Sequence, residues 1–373
     1  MISRLILENA RSVGGEFGFS PGINVIHGPN GCGKTTILES VHLLSQGFSF
    51  RCKDLKEMIR WNEGEMILRG EFESEENPLE SEEHTGWVRG VKVGRRQTTA
   101  RQNGENLRSV GSFFGTCPAV VMEPSDIELL RGAPEIRRRW LDEILCFRSA
   151  ANTDLLRRYK RVLQQRNQWL KQFKNEGSSV GGEDLFNVLT EQLVDLGARV
   201  WLERLNLSRE VSPIITSYYQ KLSNGVDEIT CQYKSSILSR VEENSTDDLL
   251  EMLRFAYGGR LKELELVERL QGITMSGPHK DDLALCESGY EMRSVGSQGQ
   301  CRSAAVAMRF AAVDVAMRYL SKPILLLDDI FAELDVDRRD AVASLINEKN
   351  CQVLIATPQA EELPFGADTL IKL

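Results

Sequence analysis

With 373 residues, 41% of them hydrophobic, the chain can bury a sizeable core and is expected to fold as two domains or lobes. No apolar run approaches the roughly 20 residues a membrane-spanning helix needs. The opening MISRLILENARS also lacks the apolar stretch and small-residue cleavage site of a secretory signal, so a cytoplasmic protein with no membrane partner is expected. The net charge of −8 argues against a polyanionic partner only on average. Residues 71–83 hold seven glutamates and no basic residue, whereas Arg95 to Lys174 hold 16 Lys and Arg against 8 Asp and Glu.

In chain order, the first informative segment is INVIHGPNGCGKTTILESVHLL. Ile23 to Ile26 read as a short apolar strand, and Ile37, Leu38, Val41 and Leu44 read as the buried face of a helix. Between them, Gly28, Gly33, Lys34 and Thr35 satisfy G-x-x-x-x-G-K-[ST], the phosphate-binding P-loop. Glycines let backbone N–H groups turn toward phosphate oxygens and the helix start contributes a positive dipole end. Lys34 neutralises phosphate charge, and the Thr35 hydroxyl suits Mg²⁺. ATP with Mg²⁺ is the expected ligand.

From Ser125 to Leu270 the pattern is mostly helical, with a Gly/Ser break at NEGSSVGGED between two long helices. Leu156, Tyr159, Leu163, Trp169 and Leu170 form an apolar stripe, and Arg157, Arg158, Lys160, Arg161, Arg166 and Lys171 are expected on the remaining faces. No heptads run on for long, which excludes an extended coiled coil. Arg137, Arg138 and Arg139 in succession cannot all face one core. With Arg157, Arg158, Lys160 and Arg161 they are the candidate contacts to DNA phosphates, the competing reading being solvated helix faces and ion pairs.

Near the carboxyl end, SVGSQGQCRSAAVAMRF places a polar glycine turn before an apolar helix, either as a plain helix cap or as a second phosphate-facing turn. KPILLLDDIFAELD then reads as a buried central strand, Ile324 to Leu327, ending in two acids. Asp328 is the expected metal carboxylate and Asp329 the group that orients or deprotonates water. A last strand, CQVLIAT, fits the same sheet. The fold class is therefore α/β: an ABC-type P-loop ATPase head built from both termini with an inserted, mostly helical arm lobe. The expected domains are 1–124 (ATPase lobe), 125–272 (arm lobe) and 273–373 (ATPase lobe, carboxyl-terminal part).

The chain resembles the bacterial RecF family over nearly its whole length. The likeness lies in LENARS, the P-loop segment, PSDIELLRGAPEIRRRWLD, RYKRVLQQRNQWLK, SGPHKDDL, SQGQCRS and LLLDDIFAELD. The resemblance implies that Gly28, Pro29, Asn30, Gly31, Cys32, Gly33, Lys34, Thr35 and Thr36 hold the triphosphate, with Arg11 near the nucleotide. Thr35 and Asp328 would serve the metal, while Asp329 and Lys34 serve hydrolysis. Ser297, Gln298, Gly299 and Gln300 would be the signature that meets ATP held by a second copy, and Glu333, Leu334 and Asp335 the D-loop. It further implies an ATP-dependent homodimer on single-stranded and duplex DNA, with RecR as partner and RecO and RecA in the same pathway, in DNA repair and replication restart.

The departures from the family pattern are Ala10, Cys32, Ala332 and the glutamate-rich stretch. No glutamine-loop residue is identifiable, and only Thr357 stands near the place of a switch histidine. Because Asp329 is one methylene shorter than the usual Glu, slow hydrolysis is expected. An ATP-binding adaptor without hydrolysis and a small-molecule kinase are the competing functions. A transporter ATPase fits less well, its P-loop-to-signature segment being shorter.

Overall fold

The computed structural model describes residues 1–73, 86–177, 182–223, 228–240, 249–360 and 363–373. Most of the glutamate-rich stretch therefore lies outside the described residues. Along the chain come β1 (Ile2–Ala10), β2 (Val13–Gly18), β3 (Ile23–His27), α1 (Lys34–Gln46), β4 (Glu65–Glu73), β5 (Gly86–Gly94), β6 (Thr98–Gln102), β7 (Glu105–Leu107) and β8 (Ala119–Met122). There follow α2 (Glu128–Arg131), α3 (Pro134–Arg148), α4 (Ala150–Glu176), α5 (Gly182–Leu222), β9 (Ile229–Lys234), α6 (Leu249–Gln271), β10 (Asp282–Glu287), β11 (Tyr290–Glu291) and α7 (Met292–Val295). The chain ends with α8 (Gln298–Tyr319), β12 (Ile324–Asp328), α9 (Val336–Lys349), β13 (Val353–Thr357) and β14 (Thr369–Lys372).

Two compact units divide these elements. The first comprises residues 1–126, 221–225 and 306–373, and the second residues 127–220 and 226–305. The sequence placed the later boundary at 272/273. In the structure the second unit continues to Ala305, because β10 returns to pair antiparallel with β9 and β11 with β10. That pairing gives the second unit a three-stranded sheet, with β9 inside the stretch 125–270 that reads as mostly helical and β10 and β11 beyond it.

The first unit contains two sheets. One is antiparallel, in the order β2-β1-β4-β5-β6-β7, and the other parallel, in the order β14-β3-β13-β12-β8. β12 and β13 read ILLLD and VLIAT, and their apolar residues are buried throughout, as befits strands covered on both faces. β4 instead alternates, with Met66, Leu68 and Phe72 inward and Glu65 and Arg69 outward. Leu5, Leu68 and Phe72 from the antiparallel sheet share one core with Ile37, Leu38, Val41 and Leu44 of α1 and with Leu326 and Leu354 of the parallel sheet.

Arg89, fully buried on β5, donates to the carbonyls of Leu44 (2.8 Å) and Ser45 (3.2 Å) in the last turn of α1, where a cation suits the helix dipole. Burial pushes its pKa down to about 10. Gly47 ends α1 at φ 80°; a Cβ there would stand 2.3 Å from the Val110 carbonyl oxygen.

In the second unit, Tyr159, Leu193, Trp201, Leu253 and Tyr257 from α4, α5 and α6 pack into one core. Arg166, expected on the surface of α4, is inside: it lies 2.7 Å from Glu268, donates to Thr190 and Thr274, and both charged side chains are at most 1% exposed. One turn of α4 separates it from Val162 and Leu170 on the inward face, so an arginine at this spacing belongs to the helix interface despite its charge.

Candidate functional site: a nucleotide-binding centre

The site forms at the carboxyl edge of the parallel sheet, where ligands of such sheets collect. β3 ends at His27, and residues Gly28 to Gly33 loop into α1. The loop needs its glycines. Gly28 has φ 152° and a Cβ there would lie 2.7 Å from the Leu373 carbonyl oxygen; Gly33, at φ 106°, would drive a Cβ to 1.9 Å from Val13 Cγ2. Lys34 is 8% exposed and donates from Nζ to the carbonyls of Gly28 (2.8 Å) and Pro29 (3.1 Å), arched back over the loop. Pro29, Asn30, Gly31 and Cys32 form the crest of this loop, and Thr36 lies buried one residue into the helix after Thr35.

β12 delivers the acids. Thr35 Oγ1 donates to Asp328 Oδ1 at 2.9 Å. Burial raises the Asp328 carboxyl above its usual value, while the Thr35 hydrogen bond and the charges of Arg51 and Lys34 pull the other way. Asp329 follows in the left-handed region, φ 53°, with its N–H donated to the Ala356 carbonyl at 2.9 Å. At the end of β13, the Thr357 hydroxyl donates to the Gln359 carbonyl at 3.1 Å.

The donor set suits the ligands expected from the sequence. Glycine backbone that side chains would fill, a lysine ammonium and a helix start match a triphosphate. A hydroxyl and a carboxylate in contact are hard oxygen donors of the kind Mg²⁺ takes when phosphates and waters complete its shell.

Three residues of this centre escape sequence reasoning. Glu39 is fully buried on α1, 3.1 Å from the Arg11 guanidinium, and accepts a 2.5 Å hydrogen bond from Ser49. It thereby anchors both Arg11 and the turn carrying Arg51, whose charge reaches Asp328. Glu123 directly follows β8, which pairs with β12 in the register Met122 with Leu327. Burial raises its carboxyl pKa, with Asp126 and Asp328 adding to the rise while the Ser125 hydrogen bond and the Arg309 charge oppose it. Only the strand order reveals Glu123 as a neighbour of Asp328; the sequence signal would have been an acid one residue past an apolar run.

The turn before α8 lies in the second unit. Ser297 Oγ accepts from the Gln300 N–H (3.2 Å), and Gln300 Oε1 accepts from the Ser297 N–H (2.9 Å), a reciprocal capping box. Ser297 and Gln298 are exposed; Gly299 follows as the next residue of the helix. In the first unit, the segment expected as the D-loop turns from Glu333 into Leu334, and Asp335 caps α9 by accepting from the Arg338 N–H at 3.0 Å.

The arginines expected to meet DNA divide into two groups. Arg137 is 2% exposed, bonded twice to Asp282 (2.7 and 2.9 Å) and to the carbonyls of Leu129, Leu130 and Gly132, so it is committed to packing. Arg138 donates to the Asp281 carbonyl at 2.5 Å. Arg139, Arg157, Arg158, Lys160 and Arg161 are exposed. Arg139 lies 3.6 Å from Glu135, and Arg157 and Arg158 share Asp154.

A P-loop and a strand-end carboxylate pair on one parallel sheet, packed with an antiparallel sheet around α1, define an ABC-type ATPase head. The family described as the RecF/RecN/SMC N terminal domain matches residues 1–373. The DNA replication and repair protein RecF of Heliobacterium modesticaldum is 36% identical over 340 residues, 91% of this chain and 87% of that protein. RecF of Geobacter metallireducens is 31% identical over 97% of this chain and 94% of its own. The chain belongs to the RecF family of DNA replication and repair proteins.

A solved structure of the recombination mediator protein RecF with ATP in the RecFOR pathway superposes with a TM-score of 0.87 at 26% identity, covering 100% of this chain and 95% of that one. An Smc head bound to the C-winged helix domain of ScpA shares the fold alone, at 17% identity and a TM-score of 0.55, covering 100% of this chain and 93% of that one.

Proposed function

We propose that this RecF-family ATPase closes as a homodimer when ATP on the P-loop of one copy meets Ser297 to Gln300 of the other. The closed dimer holds DNA, and slow hydrolysis releases it. The observation that carries this reading is the presence of a second phosphate-suited turn, exposed at Ser297 and Gln298 on the start of a 22-residue helix, in a chain that already has a P-loop and its carboxylates.

In this reading the loop N–H groups and Lys34 bind and orient the triphosphate. Thr35 and Asp328 would hold Mg²⁺, which neutralises charge on the β- and γ-phosphates when bound. Asp329 orients a water, or takes its proton, as the water oxygen bonds to the γ-phosphorus and the bond to the ADP oxygen breaks. The short Asp329 side chain reaches less far than a glutamate would, which favours slow turnover. Glu333, Leu334 and Asp335 lie across the dimer from their counterparts.

Exposed Arg139, Arg157, Arg158, Lys160 and Arg161 supply phosphate contacts with little sequence preference, to duplex and single-stranded DNA alike. The RecFOR pathway named for the similar solved structures supports RecR and RecO as partners and assistance to RecA loading at gaps. No described helix is long and apolar enough to cross a membrane, and we place the action in the cytoplasm. Phosphate release measured with and without duplex DNA over a salt series tests the reading. DNA-stimulated turnover that fades as salt rises is expected; turnover indifferent to DNA at every salt concentration contradicts it.

A further inference from the structure

Trp61 is 88% exposed, whereas the other four tryptophans of the chain are buried or half-buried. Its turn is fixed rather than loose. The Glu63 N–H donates to the Arg60 carbonyl (3.0 Å), and Asn62 adopts φ 69°. At the turn's base, Arg60 N–H donates to the Asn9 carbonyl (2.8 Å) and Arg60 Nε to the Arg11 carbonyl (2.9 Å). The indole is thus held out in water by a turn pinned to the end of β1. Three residues on, Gly64 and Glu65 line a groove of about 550 Å³ with Lys92, Arg95, Arg96 and Gln97 at the β5–β6 hairpin.

The hairpin is basic: from Gly86 to Arg101 the chain has five Lys and Arg and no acid. Lys92 is paired with Glu65 at 2.8 Å, which neutralises the one acidic wall of the groove. Arg95 and Arg96 are exposed, and no hydrogen bond or ion pair joins either to another described residue. Two unpaired guanidinium forks call for phosphate oxygens, and an aromatic face exposed at the same end of the antiparallel sheet, four residues before the Glu65 that pairs with Gly94, calls for an unstacked base. A duplex keeps its base faces covered, so the indole selects single strands.

We propose that Trp61, Arg95 and Arg96 form a subsite for single-stranded DNA, an unpaired base stacking on the indole while the arginines take the flanking phosphates. This deepens the DNA-binding reading above and rests on it; it would let a clamp prefer duplex that borders a single-stranded segment.

The test uses the full chain with Mg²⁺ and ATP, a blunt duplex, and the same duplex with an oligo-dT tail. Wild type is expected to bind the tailed duplex more tightly, with the exposed indole quenched and shielded from acrylamide by the tail. W61A should bind the tailed duplex at least about fivefold more weakly with blunt-duplex affinity unchanged, W61F should keep most of the preference, and R95A/R96A should lower the salt dependence of tail binding. Equal tail binding by W61A and wild type overturns the subsite while leaving the clamp in place. Failure of W61A to dimerise with ATP would assign Trp61 to a protein contact and also overturn it. A wild type that binds neither DNA removes the parent reading as well.

Discussion

Thr35 and Asp328 stand 293 positions apart in the chain, yet the threonine hydroxyl donates to the aspartate at 2.9 Å. The contact joins the P-loop helix to the strand-end acid. Thr35→Val removes the hydroxyl and leaves a half-buried carboxylate without this partner. Mg²⁺-dependent tightening of ATP binding, read by calorimetry with and without the metal, is expected to fall about tenfold or more, since hydrogen bonds to charged groups contribute roughly 1.5–3 kcal/mol.

Asp329 leaves the strand in a left-handed conformation that aspartate tolerates, so Asp329→Asn preserves the backbone. ATP affinity is expected to stay within about twofold while turnover falls roughly 10²- to 10⁴-fold, the range for loss of a general base. Unchanged steady-state phosphate release in this variant would remove Asp329 from the hydrolytic role.

Arg137 and Arg158 are both basic helix residues and differ in use. Arg137→Ala strands Asp282 and three carbonyls and is expected to destabilise the second unit by about 3–5 kcal/mol in thermal or urea unfolding. Arg158→Ala, whose nearest acid is 3.9 Å away on an exposed face, should change stability by less than about 0.5 kcal/mol. It should instead lower the slope of log K against log salt for DNA binding by about 1.

His279 is held by Tyr159 (2.7 Å) and faces the Thr274 carbonyl (3.3 Å); burial lowers its pKa to about 4. The unfolded state, with an ordinary histidine near 6.5, binds the proton first as pH falls, so this imidazole's contribution is full above about 6.5 and lost toward 4. His279→Asn is therefore expected to be most destabilising at neutral pH. The gap from wild type should close by on the order of 2–3 kcal/mol on acidification, read from denaturant unfolding at a series of pH values. Comparing the two proteins cancels the carboxyl groups they share.

The nucleotide centre was legible in the sequence because its parts are local. Gly28, Gly33, Lys34 and Thr35 sit within eight residues, and Asp328 and Asp329 end an unbroken apolar strand. The break between α4 and α5 was legible for the same reason: Gly177 adopts φ 66° and caps α4. What escaped depends on distant partners. A basic helix face looks solvated until a carboxylate 145 positions away meets Arg137, or Glu268 meets Arg166. Glu123 became a neighbour of Asp328 only through the pairing of β8 with β12, and the sheet of the second unit only through that of β9 with β10. No local periodicity encodes such meetings.

Sedimentation of the purified protein with Mg²⁺ tests the central claim most directly, comparing no nucleotide, ADP, ATP, and ATP with duplex DNA, beside Ser297→Arg. The substitution removes a helix cap worth about 1 kcal/mol, so the variant should stay folded. The account predicts a dimer that forms with ATP, is strengthened by DNA and is absent in the variant. A monomer under every condition, with ATP still bound, would contradict it and leave Ser297 as a helix cap.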